Sequence, residues 1–181
     1  MGHGKQLFRI VIMKVFIPIR STEVLTENVQ KSIEVQGGEI ILVENEPLST
    51  LPRRVSEWQA RDEIIEMVKP LTDKYVVTND ANGWHRFADN FACMEAALFL
   101  DPGLGAVGLW RQGQAPAKIP DNFPVYLSCV MWRREILAAM PKLTGNCNPA
   151  SCCCHYYGEA VRAMGYKYEF LDSIQRIKET Y

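Results

Sequence analysis

Along this chain, short apolar runs alternate with stretches of helical period, the pattern of an α/β domain. Ile10 to Ile19 is nearly all apolar and predicts a buried first strand. Ser21 or Thr22 can cap the helix that follows, with Glu23 in its first turn and Val24, Leu25, Val29 and Ile33 at helical spacing. Gly37-Gly38 stops that helix, and Glu39 to Glu44 predicts a short buried strand holding Ile40, Ile41, Leu42 and Val43. After a loop from Asn45 to Leu51, Val55, Trp58, Ile65 and Val68 mark one face of a helix from Arg53 to Lys69, closed by Pro70. Lys74 to Thr78 is the third strand; Phe87, Phe91, Met94 and Leu98 define a helix that stops before Asp101-Pro102-Gly103.

In the second half, Leu104 to Trp110 and Phe123 to Trp132 predict strands, flanking a surface loop from Gln112 to Asn122 that contains Gly113, Pro116 and Pro120. Arg133 to Met140 is a short helix. Ser151 to Met164 is a longer one with Cys154, Tyr157, Val161 and Met164 inward, and Gly165 to Leu171 closes as a strand. No internal repeat or linker divides the chain.

Composition narrows the classes. With 181 residues the chain suits one domain with a substantial core, and a net charge of −1 gives no electrostatic footprint for nucleic acid. No apolar run reaches the roughly 18 residues that cross a bilayer; Ile10 to Ile19 is broken by Lys14 and Pro18. Residues 1–12 are expected to be an N-terminal extension or leader and 13–181 a single domain, with Met13 equally suited as a start. No secretory cleavage site follows the first apolar run, so the six cysteines are expected reduced and the protein cytoplasmic.

Candidate chemistry gathers at strand ends, where open α/β sheets place ligands. The third strand runs into Asn79-Asp80-Ala81-Asn82-Gly83. Asp80 offers a carboxylate and Asn82 an amide oxygen, a set that suits Mg²⁺ or Mn²⁺ bridging to phosphates; the same residue types also make an ordinary turn. Arg20 ends the first strand, within reach of a phosphate or simply solvated. Glu44 ends the second, where a carboxylate can accept a base N–H or stand free. Arg61 and Asp62 lie on the helix before the third strand, able to meet a phosphate and ribose or to form a plain surface pair.

The order of these pieces resembles the GT-A fold glycosyltransferases, most closely the family-2-like group that uses nucleotide-diphospho-sugars. The matching stretches are Phe16 to Ser21 with its helix, Glu39 to Asn45, Ala60-Arg61-Asp62, Tyr75 to Asn82, Pro102 to Gly108, Ser128 to Leu137 and Ala160 to Tyr168. The resemblance implies a three-layer α/β domain with a mixed, mostly parallel central sheet. It also implies metal-assisted transfer of a sugar from a nucleotide-diphospho-sugar donor to an unknown acceptor. On that likeness Glu44 stands at the base-recognising position, Asp80 and Asn82 at an Asp-x-Asp metal motif, and Arg61 and Asp62 near an Ala-Arg-Asn segment.

The departure comes before the closing helix, where the family carries an acidic catalytic base that would take the acceptor's proton. This chain has Cys152-Cys153-Cys154-His155-Tyr156 there. His155, Asp121 and Glu159 are the substitutes within reach in sequence. Cys147, Cys152, Cys153 and His155 could instead hold Zn²⁺, although consecutive helical side chains diverge by about 100° and cannot all meet one ion. Cys93 and Cys129 are expected in the core. The alternatives are a GT-A-like domain that binds nucleotide without transfer, a nucleotidyltransferase, and a zinc-stabilised interaction domain; the first strand lacks the Gly-rich loop a triphosphate would need.

Overall fold

The computed structural model describes residues 12–20, 24–45, 53–81, 88–109, 129–146 and 153–171. Among them the chain runs β1 (Met13–Arg20), α1 (Glu27–Glu34), β2 (Gly38–Asn45), α2 (Arg53–Val68), β3 (Tyr75–Asn79) and α3 (Asn90–Leu100). It continues through β4 (Leu104–Gly108), β5 (Cys129–Arg133), α4 (Arg134–Ala138), α5 (Cys153–Ala163) and β6 (Lys167–Phe170). The strands form one sheet in the order β2-β1-β3-β5-β4-β6. β1 pairs in parallel with β2 and β3, β4 pairs in parallel with β6, and only β5 runs against its neighbours. This is the mixed, mostly parallel sheet expected.

Period-2 alternation divides the core into two layers. Phe16, Val43, Val76, Ala106, Val130 and Trp132 face α2, α4 and α5. Val15, Ile17, Val77, Val107 and Met131 face α1 and α3. The central strands β3 and β4 are buried along their whole length, which is why they read as unbroken apolar runs. Trp132 ties three elements together: its Nε1–H donates to Thr78 Oγ1 at 2.9 Å and its ring meets Tyr157 edge-on, 5.9 Å between centroids.

Four local expectations are corrected. α1 begins after Thr26, whose Oγ1 accepts the Val29 N–H, rather than after Ser21 or Thr22. Starting there turns Val29 and Ile33 onto the sheet and leaves Val24 89% exposed. β2 is not fully buried: as the edge strand it has one neighbour, and Leu42 is 47% exposed while Val43 is covered. On α5 Cys153 is the cysteine fully buried with Tyr157 and Val161, since 153, 157 and 161 share one stripe, while Cys154 is only partly buried against the same core. Cys129 is buried as expected, whereas Cys93 is only half-buried.

At the end of the sheet where β3 begins, Arg133 fastens the layers. Its Nε–H donates to Leu104 O at 2.6 Å, and its Nη2 donates to Leu98 O and to Asp101 O. These carbonyls include the negative end of α3, which a cation complements.

Candidate functional site

The opposite end of the sheet gathers the C-termini of the parallel strands. Arg20, Asn45 and Asn79 close β1, β2 and β3 there, Gly108 and Phe170 close β4 and β6, and Cys129 opens β5 opposite Asn79. Asp80 follows directly on β3, 29% exposed at its side chain.

α2 crosses the sheet with Trp58, Ile64, Ile65 and Val68 against it, and this packing carries two charged residues into the interior. Arg61 is 4% exposed and Asp62 8%. Arg61 donates from Nε and Nη2 to Glu57 Oε1 at 3.0 and 2.9 Å, and from Nη2 to Asp80 Oδ1 at 3.0 Å. Burial alone would lower the guanidinium's pKa; the carboxylates of Asp80 and then Glu57 outweigh it and push the pKa above its ordinary value, so Arg61 is a fixed cation. Asp62 faces elsewhere: its Oδ1 accepts the Leu143 N–H at 2.7 Å and its Oδ2 the Thr144 N–H at 3.0 Å. It anchors the segment after α4, a role no local spacing announces.

Two groups beside this cluster stay protonated. Burial, helped by the Asp80 carboxylate, raises the Cys129 thiol well above its usual pKa. Burial likewise raises the Tyr157 phenol, with Arg61 pulling the other way. Neither is a ready nucleophile or base at neutral pH.

Glu44 is exposed and lies on the other face. β2 turns Val43 toward α2, so Glu44 points to the α1 side, where it lines an open groove of about 660 Å³ with Ile19, Val24, Leu25, Leu42 and Ile40. β1 separates it from Asp80, placing the two strand ends about 10 Å apart across the sheet. The structure therefore joins Arg61 to Asp80 and sets Glu44 beyond them, across the end of β1.

His155 and Glu159 are both exposed on α5, four residues apart on the stripe away from Cys153 and Tyr157. Asn82, Asp121, Cys147, Cys152 and the Arg20 side chain lie outside the described residues. His155 is exposed while Cys153 is buried, so these two possible zinc ligands do not share a face, and no three His, Cys, Asp or Glu side chains converge on an ion among the described residues. Among them, too, no helix is long and apolar enough to cross a membrane. Glu57 was missed by reading the sequence, although its i, i+4 spacing to Arg61 is the usual signal of a helical ion pair.

No family model matches the sequence, and no curated protein does. Solved structures do. A mannosyltransferase from Pyrobaculum calidifontis, in complex with GDP-Man and Mn²⁺, is 16% identical with a TM-score of 0.61, covering 88% of this chain and 54% of its own. This chain thus spans about half of that enzyme's length. A glycosyltransferase involved in glycosylation of the major capsid of PBCV-1 is 13% identical with a TM-score of 0.56, covering 87% of this chain and 80% of its own. A 4-diphosphocytidyl-2C-methyl-D-erythritol synthase from Anaerococcus prevotii is 14% identical with a TM-score of 0.52, covering 88% of this chain and 87% of its own. The fold is GT-A-like, and proteins of more than one activity share it.

Proposed function

We propose that the protein binds a nucleotide-diphospho-sugar across the C-terminal mouth of β1, β2 and β3 and transfers its sugar to an acceptor. The observation that carries this reading is Asp80 at the end of β3, its Oδ1 held by the buried cation Arg61 and its side chain open to solvent. The groove beside Glu44 mixes apolar residues that a base could lie on, Ile19, Ile40 and Leu42, with the polar Gln30, Glu34 and Glu39, and the Glu44 carboxylate can accept a base N–H. A nucleotide reaching from that groove to Asp80 crosses the end of β1, the strand that Arg20 closes.

The donor set fits a divalent cation of the Mg²⁺ or Mn²⁺ type. Arg61 engages one Asp80 oxygen and no bond among the described residues engages Oδ2, so one hard oxygen is left that would share a cation with phosphates; Asn82, outside the described residues, is the second ligand the sequence offers. When bound, such a cation stabilises charge on the departing nucleoside diphosphate. The chain's own part is to fix Asp80 before the donor arrives. Asp62 takes no part in ribose binding in this reading; it holds Leu143 and Thr144 in place.

A second reading is a nucleotide-binding domain without transfer. It is favoured by the exposure of His155 and Glu159 on the outer stripe of α5, away from Arg61, which leaves Asp121 as the remaining candidate base. A thermal-shift panel of UDP, GDP, CDP and their sugars, with and without Mn²⁺, tests binding on wild type and Asp80→Ala. A Mn²⁺-dependent rise in Tm with one nucleotide, lost in Asp80→Ala, is expected; no rise with any nucleotide at millimolar concentration overturns both readings. Release of nucleoside diphosphate from the selected donor then separates transfer from binding alone.

A further inference from the structure

Glu57 Oε1 and Asp80 Oδ1 accept from the same nitrogen, Arg61 Nη2, at 2.9 and 3.0 Å. Sharing one nitrogen keeps the two carboxylates close, so that small side-chain rotations would let both reach one divalent cation if that nitrogen were gone. The guanidinium stands between them instead. Burial is unequal: Arg61 is 4% exposed, whereas Glu57 is 39% and Asp80 29%. The two carboxylates thus reach solvent while the charge that compensates them is sealed beneath, within the electrostatic reach of the buried Cys153 and Tyr157. A cation arriving from water meets carboxylates already paired and a fixed positive charge behind them.

We propose that Arg61 is a built-in counter-ion that keeps free divalent cations off the Glu57–Asp80 pair. A cation is then held at Asp80 only when a diphosphate brings further oxygens; this second part rests on the donor-site reading, the first does not. Arg61 is a positioning residue here: it touches neither donor nor cation, and acts by orienting Asp80 and cancelling its charge. The consequence is that removing Arg61 should create affinity rather than destroy it, which a purely structural role would not do.

The test is titration of Mn²⁺ into the full chain, followed by the electron paramagnetic resonance signal of the free ion. Wild type should leave Mn²⁺ free into the millimolar range. Arg61→Met, which keeps the bulk and removes the charge, should bind it about tenfold more tightly or better, as two facing carboxylates lose their internal cation. Arg61→Lys should behave like wild type, and Arg61→Met with Glu57→Gln should lose the gain. Should Arg61→Met fail to fold by circular dichroism, Arg61→Gln replaces it, neutral but with an amide to bridge the pair. Equal Mn²⁺ binding by wild type and the neutral variant, or tight binding by wild type alone, overturns the proposal. Adding the nucleotide separates the two ideas: if it fails to recruit Mn²⁺ to wild type while the neutral variant still gains affinity, the donor-site reading falls and the counter-ion stands.

Discussion

Two arginines sit at opposite ends of the same sheet and do opposite kinds of work. Arg133, where β3 begins, spends its guanidinium on three backbone carbonyls, those of Leu98, Asp101 and Leu104. Its partners are neutral, belong to the frame, and are used up. Arg61, near the end of β3, spends its guanidinium on two carboxylates that remain partly open to water. A cation that only stabilises a fold is best matched to groups with no other business, such as the last carbonyls of a helix. A cation sealed under solvent-facing carboxylates costs desolvation that an apolar side chain would avoid. The contrast marks the C-terminal mouth as the end of the sheet where stability is not the only demand.

The comparison breaks most visibly at Arg133. Arg133→Met strips the guanidinium from three carbonyls, of which Asp101 O keeps the Leu104 N–H, and should cost about 3 kcal/mol in denaturant unfolding, with no gain in Mn²⁺ affinity. Arg61→Met should cost less, about 2 kcal/mol, because Glu57 and Asp80 regain solvent when their partner is lost. If both variants lost stability and neither changed cation binding, the two ends of the sheet would be equivalent and the distinction would fail.

Asp62 sharpens the comparison from within α2. It neighbours Arg61 in sequence and is as well buried, yet its carboxylate serves the frame, as Arg133 does, through the N–H groups of Leu143 and Thr144. Asp62→Ala should cost about 2 kcal/mol by denaturant unfolding, and Asp62→Asn about half of that, since one oxygen remains. Neither should abolish the nucleotide-dependent Tm rise that Asp80→Ala removes. A loss of that rise in Asp62→Asn, at unchanged stability, would return Asp62 to the ligand.

These cases mark how far the sequence can be read. The span of α2 was legible almost to the residue, expected over Arg53–Lys69 and observed over Arg53–Val68, because Pro70 and the apolar period are local signals. Asp80 at a strand end and Arg61 near it were legible as candidates. The bond from Asp62 to Leu143 was not, because 81 residues separate the partners and no pattern in either stretch points to the other. Nor could the alternation along β2 reveal that Glu44 faces away from Asp80, since that depends on which neighbour an edge strand takes. α1 was misplaced because Ser21, Thr22 and Thr26 all suit a cap, and only packing against β2 selects among them.

The smallest expected effect lies at the far edge, on β6. Burial and the nearby Asp101 raise the pKa of Glu169 above its ordinary value near 4.5, against a weaker pull from Lys167. A carboxyl raised in this way favours the fold while it is protonated, below its unfolded pKa, and that contribution is lost as pH rises through the folded pKa. At pH 7 the ionised Glu169 therefore works against the fold. Glu169→Gln should raise Tm at pH 7 by about 1 °C and leave it unchanged at pH 3, where both side chains are neutral. Glu169 pairs in register with Val107 on β4, beyond β5 from Asp80, so this gain should come with no change in cation or nucleotide binding. A shift in either would mean that the edge strand β6 communicates with β3 through β4 and β5, and that the frame is not passive with respect to the mouth.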